Sequence, residues 1–97
     1  MKIVWDTAKL ASNQRKHGVS FEEVVALLSA DEFRLEIYDE AHSTSEERFL
    51  AIGPTAKGLV VVVYSEPRED VLRIISARRA TRREAELYAN FATRGKP

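Results

Sequence analysis

The chain has 97 residues, 15 basic and 15 acidic groups, no cysteine and a formal net charge of zero. That length suits one domain, residues 1–97, with a modest core, and a hydrophobic fraction of 44% is ordinary for a globular protein. No apolar run reaches the length of a membrane span, the start MKIVWDTAKL lacks the apolar stretch of a secretory signal, and the lack of cysteine excludes disulfides and thiolate metal sites, a pattern that suits a bacterial-type cytoplasm.

KIVW, at residues 2–5, is short and partly β-branched, which predicts an edge strand. Asp6 is placed to cap a helix that starts at Thr7, with Trp5 and Leu10 as a hydrophobic staple, and Gly18 suits its left-handed end. Ser20-Phe21-Glu22-Glu23 is a capping box with Val19 and Val24 as its staple. Phe21, Val24, Val25 and Leu28 recur at helical spacing, so that face is expected in the core.

The period then changes. Phe33, Leu35 and Ile37 alternate with Arg34, Glu36 and Tyr38, as in a half-buried strand. ERFLAI (47–52) is a second strand, stopped by Gly53-Pro54, and LVVVVY (59–64) is a central one. VLRIIS (71–76) is a fourth, and the short links between strands permit hairpins. Thr81-Arg82-Arg83-Glu84 is another capping box, opening a helix in which Leu87, Tyr88 and Phe91 face the core. Residues 92–97 are expected to fray. The expected fold class is α+β: two N-terminal helices, a four-stranded mainly antiparallel sheet that the N-terminal strand can join at its edge, and a C-terminal helix, with the helices on one sheet face.

Neutrality hides a segregation. Residues 1–19 carry four basic groups and one acid, residues 20–50 two basic groups and nine acids, and residues 67–97 eight basic groups and four acids. This asymmetry suggests a basic surface drawn from both termini, although plain pairing of an acidic middle with basic ends explains it equally well. Arg73 stands between Val71 and Ile75 on one face of its strand, where Glu47 can approach it if the strand registers agree. Arg78 and Arg79 fall in the expected strand-to-helix turn, beside the free N–H groups of a helix start, a good place for an anion. Arginine presents a planar fork that suits phosphate oxygens, and phosphate contacts dominate nucleic-acid affinity. Lys9 and Lys16 share one face of the first helix with Asn13. Arg82 and Arg83 suit solvated surface charges or partner contacts. Tyr64 and Tyr88 are candidates for base stacking, with core packing the plainer role of both. His17 suits the C-terminal end of its helix, while His42, in a polar loop, has the chemistry of a general acid or base. No metal-ligand spacing, Gly-rich phosphate loop, nucleophile elbow or HExxH motif is present.

The segments KIVWD, KHGVSFEEV, EERFLAIG, VVVVYSE and RIISARRATRREAELY, in this order, resemble the BrnT family, toxins of BrnT–BrnA type II toxin–antitoxin pairs. The resemblance spans residues 2–88. It implies a RelE-like fold, ribonuclease activity that inhibits translation, a BrnA-like antitoxin that masks the toxin, and contact with operator DNA only through their complex. It carries site roles onto His17, His42, Glu47, Arg73, Arg78 and Arg79; Lys9, Lys16, Tyr64 and Arg82 are candidate RNA contacts from their own placement, and no cofactor or metal is expected. Many relatives carry a basic residue straight after the IG pair, where this chain has Pro54, so that Lys57 or Arg68 would have to substitute. The expected chemistry is attack of the RNA 2′-hydroxyl on the adjacent phosphorus, which needs no metal, with Glu47 or His42 as the base, His17 a further acid–base candidate, and Arg73, Arg78 and Arg79 as phosphate clamp. The alternative is a non-catalytic module that binds the antitoxin or nucleic acid.

Overall fold

A computed structural model describes residues 2–30 and 34–94. Phe33, expected in a strand, lies outside them. The elements run β1 (Lys2–Trp5), α1 (Thr7–His17), α2 (Phe21–Ser29), β2 (Leu35–Tyr38), a 3-10 turn at Glu40–His42, β3 (Arg48–Thr55), β4 (Gly58–Arg68), β5 (Val71–Arg79) and α3 (Arg82–Arg94). The class is α+β, and the sheet among the described residues has five strands in the order β1-β5-β4-β3-β2. The β2–β5 meander is antiparallel, whereas β1 pairs parallel with β5, Val4 opposite Arg73. The N-terminal strand therefore joins the sheet and makes it mixed.

Local signals act as their chemistry demands. Asp6 Oδ1 accepts from the Ala8 and Lys9 amides at 2.8 and 3.3 Å, and α1 stops at Gly18 with φ +66°. Ser20 and Glu23 close the capping box of α2. Val24, Leu27 and Leu28 are then buried to within 1% of full enclosure against Ala51, Val60, Val62, Tyr64 and Ile74. Each such side chain contributes about 1.5–3 kcal/mol of burial. Trp5 turns its ring to Phe21, 5.6 Å between centroids, and Phe21 itself remains 38% exposed rather than joining the core.

The sheet is covered on both faces, not one. Ala51, Val60 and Val62 meet α2, but Ile52 and Val61 point the other way and are also fully buried. The cover on that side is α3, which packs on β3. Its Tyr88 and Phe91 rings lie 5.8 Å apart, while Leu87 is 42% exposed and takes no core place. The α3 helix extends through Arg94, and residues 95–97 of the segment expected to fray lie outside the described residues.

All three long strands exceed their expected ends. β3 runs through Gly53-Pro54 to Thr55, and β5 continues through Ala77, Arg78 and Arg79. Those two arginines are thus strand residues rather than turn residues. A bulge interrupts β5: Val63 pairs with Ser76 and Tyr64 with Ile74, leaving Ile75 without a partner. Beyond the bulge the alternation is inverted. Leu72, Ile74, Ala77 and Arg79 share the side of α2, while Arg73, Ser76 and Arg78 share the other.

Arg79 ties the helical side together. It donates to Glu23 Oε2 at 2.8 Å, to Oε1 at 3.3 Å and to the Gly18 carbonyl at 2.7 Å, while Thr55 Oγ1 donates to the same carboxylate at 2.8 Å. The Arg79 bonds chiefly hold the Glu23 carboxyl down at about 2, against an ordinary value of 4.5. A depressed carboxyl stabilises the fold fully above its unfolded value and ceases to as pH falls through the folded one. Glu23→Gln is therefore expected to lower stability by about 2 kcal/mol at neutral pH. In urea unfolding followed by circular dichroism, its loss relative to wild type should shrink as pH falls from 4.5 towards 2. A pH-independent difference would refute this role.

Candidate active site

The face opposite α1 and α2 is only partly roofed by α3. The uncovered part is floored by Leu50, Val63 and Ile75, all half-buried. A row of residues crosses it: Arg48 lies opposite Ser65 on β4, and Ser65 opposite Arg73 on β5. Two strand spacings set the Arg48 and Arg73 backbones roughly 10 Å apart. Arg78 stands on the same side of β5, put there by the bulge.

The loop before β3 supplies the fourth group. Asp39 donates its amide to the Arg48 carbonyl at 2.8 Å, Ser43 Oγ donates to the Asp39 carbonyl at 2.6 Å, and the Arg48 amide donates to Ser43 Oγ at 2.9 Å. These three bonds clamp the 39–43 loop onto the first residue of β3. The Asp39 carboxylate in turn lies 3.0 Å from His42 Nδ1, which directs Nε2 of a largely exposed imidazole outward. An acidic side chain orienting a histidine is the arrangement of a general base. A cavity of about 270 Å³ is lined by Asp39, His42, Arg48, Ser76 and Arg78.

Two of the arginines are already occupied. Arg73 pairs with Glu46. Arg78 makes a two-pronged pair with Glu84 at 2.7 and 2.8 Å. The same Glu84 accepts from the Thr81 amide at 2.8 Å while its own amide donates to Thr81 Oγ1 at 3.2 Å, so the capping box forms. The start of α3 is thus filled by Glu84 and is not the open anion site the sequence suggests. The Arg78 bonds are the main reason the Glu84 carboxyl is held down at about 2.

The other sequence candidates scatter. Arg79 lies on the opposite face with Glu23. Glu47 precedes β3 and lines a separate hollow with Glu46, Phe49 and Glu66, and it is Glu46 that reaches Arg73. The faces of Phe49 and Arg73 do not coincide, because Phe49 stacks on Tyr64 at 5.6 Å on the helical side. Tyr64 is 2% exposed and burial pushes its hydroxyl pKa up, so its ring is a core element. Lys9 lines a second hollow with Arg48 and Arg73, whereas His17 and Lys16 sit exposed in the last turn of α1. Arg82 is almost fully exposed, 3.9 Å from Glu86. Pro54 shares the face of Arg48 and is exposed. Arg48 and Asp39 are the residues that sequence reasoning missed. Period-2 alternation of Arg48, Leu50 and Ile52 along β3 was the available signal for the first.

Residues 5–84 match the model of a family described as "Ribonuclease toxin, BrnT, of type II toxin-antitoxin system". This chain belongs to the BrnT family. Among solved structures it is similar to the ribonuclease toxin BrnT of Brucella abortus, with a TM-score of 0.62 and 28% identity over 84% of this chain and 99% of that one. No curated protein matches it. BrnT membership implies a protein antitoxin as partner, and the α+β fold described above is similar to that of the Brucella toxin. The matched segment stops at Glu84, the residue that grips Arg78.

Glu84→Gln keeps an acceptor for the Thr81 amide but removes the charge that grips Arg78. Glu84→Gln is expected to cost about 1.5 kcal/mol in urea unfolding at pH 7. Its penalty, too, should fade between pH 4.5 and 2, since the wild-type carboxylate gives up its advantage there. An unchanged unfolding midpoint at neutral pH would show that the pair contributes nothing.

Proposed function

We propose that this BrnT chain is an endoribonuclease toxin, RelE-like in its chemistry, that cleaves RNA without a metal at the open face around His42, Arg73 and Arg78, and so inhibits translation. The observation that carries the proposal is the Asp39–His42 pair, 3.0 Å apart, standing over the same cavity as Arg78. RNA brings its own nucleophile. His42 Nε2 takes the proton of the 2′-hydroxyl, the 2′ oxygen forms a bond to phosphorus, and the bond from phosphorus to the 5′ oxygen breaks. The 5′ oxygen takes its proton from solvent, which reaches this open face. The products are a 2′,3′-cyclic phosphate and a 5′-hydroxyl. Arg78 balances the charge that builds on the five-coordinate phosphorus, Arg73 holds the strand in the neighbouring hollow, and neither can act as base because arginine stays protonated. Lys9 holds the strand further along. Arg79, Glu47, His17, Lys16, Tyr64 and Arg82 have no place in this scheme, since they stand away from the cavity.

The protein antitoxin is proposed to be BrnA-like and to carry the operator contact for the complex. A second reading has an observation of its own. Arg73 and Arg78 are both held by carboxylates of this chain, so the face accepts acidic groups, and an acidic antitoxin segment replacing Glu46 and Glu84 would use it without any catalysis.

Purified protein incubated with RNA and chelator should yield cyclic-phosphate ends. His42→Ala, still folded, should slow cleavage by about 10²–10⁴-fold. A strict Mg²⁺ requirement would sink the mechanism. Harmless expression of the folded wild-type chain without its antitoxin, and no RNA decay, would favour the binding module.

A further inference from the structure

We infer that Arg48 is the principal RNA anchor of this site, holding a phosphate of the strand between two adjoining hollows. The inference rests on the ribonuclease reading and assigns the residue that grips the substrate backbone. Three observations lead to it. Among the described residues, Arg48 makes no ion pair, whereas the two arginines that share its hollows, Arg73 and Arg78, are held by Glu46 and Glu84. Its Nε is buried with no hydrogen-bond partner, and the hydroxyl of Ser65, its neighbour in the cross-strand row, is in the same state. Buried donors are normally satisfied, so a guanidinium at the edge of two hollows that finds no partner among the described residues is left to meet an outside acceptor.

The third observation is position. Arg48 lines both the 270 Å³ hollow of His42 and Arg78 and a neighbouring one of about 340 Å³ shared with Lys9, Arg73 and Trp5. No other residue lining the two except Ile75 belongs to both. The backbone of Arg48 is held at the first residue of β3 by Ser43 and Asp39, so the guanidinium starts from a fixed base. A phosphodiester strand is the chemistry that fits: its charges repeat, its oxygens accept two-pronged bonds, and successive phosphates can occupy successive hollows. The strand would run from the His42–Arg78 hollow, where the bond breaks, across Arg48 to the Lys9–Arg73 hollow. To bind there, phosphate must displace Glu46 from Arg73 and Glu84 from Arg78, but it meets no competitor at Arg48.

The test uses wild type and the Arg48→Gln and Arg48→Lys variants, with a 2′-O-methylated RNA that binds but cannot be cut. Binding is followed by fluorescence anisotropy over a range of salt. Loss of one phosphate contact reduces the slope of log affinity against log salt by about 0.7 for a single strand. Arg48→Gln should show that reduction, and Arg48→Lys should keep the wild-type slope with weaker binding. In parallel, phenylglyoxal labelling of the unaltered protein should show Arg48 shielded by RNA more than Arg73 or Arg78, a readout that survives misfolding of either variant. Wild-type cleavage with an unchanged slope in folded Arg48→Gln, or equal labelling with and without RNA, overturns the assignment and leaves the ribonuclease standing. A wild-type protein that neither binds nor cuts RNA overturns both.

Discussion

Between Val63 and Tyr64, β4 pairs first with Ser76 and then with Ile74, and Ile75 is passed over. Strand side chains alternate with period two, so one surplus residue inverts the side on which everything after it points. Without it, Arg78 would face α2 and Arg79 would stand beside Arg73. With it, Ala77 fits under the helices, Arg79 reaches Glu23, and Arg78 joins Arg73 over the open face. The bulge is thus the constraint on which both the helical packing and the site depend.

The two arginines that it separates are then locked by the same device. Each is gripped by the carboxylate of a capping box, Glu23 of α2 for Arg79 and Glu84 of α3 for Arg78. A capping glutamate already bends back to the helix start, so its second oxygen is available at no further conformational cost. Each helix N-terminus is tied to β5 in this way, one on each side of the sheet. Arginine near a helix start opposes the local dipole, and the shared carboxylate offsets that charge. Both carboxyls are held well below their ordinary range for this reason.

Chemistry that cleaves RNA at a 2′-hydroxyl asks little of a protein beyond one oriented base and fixed positive charge. Under the proposed mechanism the 39–43 loop would meet the first need, since it hangs the Asp39–His42 pair from the backbone of Arg48 through Ser43. Strands meet the second, since groups on a sheet are held more rigidly than groups on loops. Internal carboxylates on Arg73 and Arg78 keep the face close to neutral until an anion arrives, which is consistent with a chain whose formal charge is zero.

Local signals were legible in the residues alone: the Asp6, Ser20 and Thr81 caps, the Gly18 stop, the alternation of the strands and the order of elements, because each depends on neighbours within a few positions. The BrnT family was legible too, from segments in their order along the chain. Strand length was less so, since Gly53-Pro54 and the arginines after Ser76 read as breaks until pairing with β4 carries them on. What only the folded chain decided is which charges meet. Glu46 rather than Glu47 reaches Arg73, Arg79 leaves the open face, Tyr64 enters the core, and Arg48 emerges at the centre. Each of these turns on register, and register is set by pairing between distant strands and by one unpaired residue, which no local pattern announces.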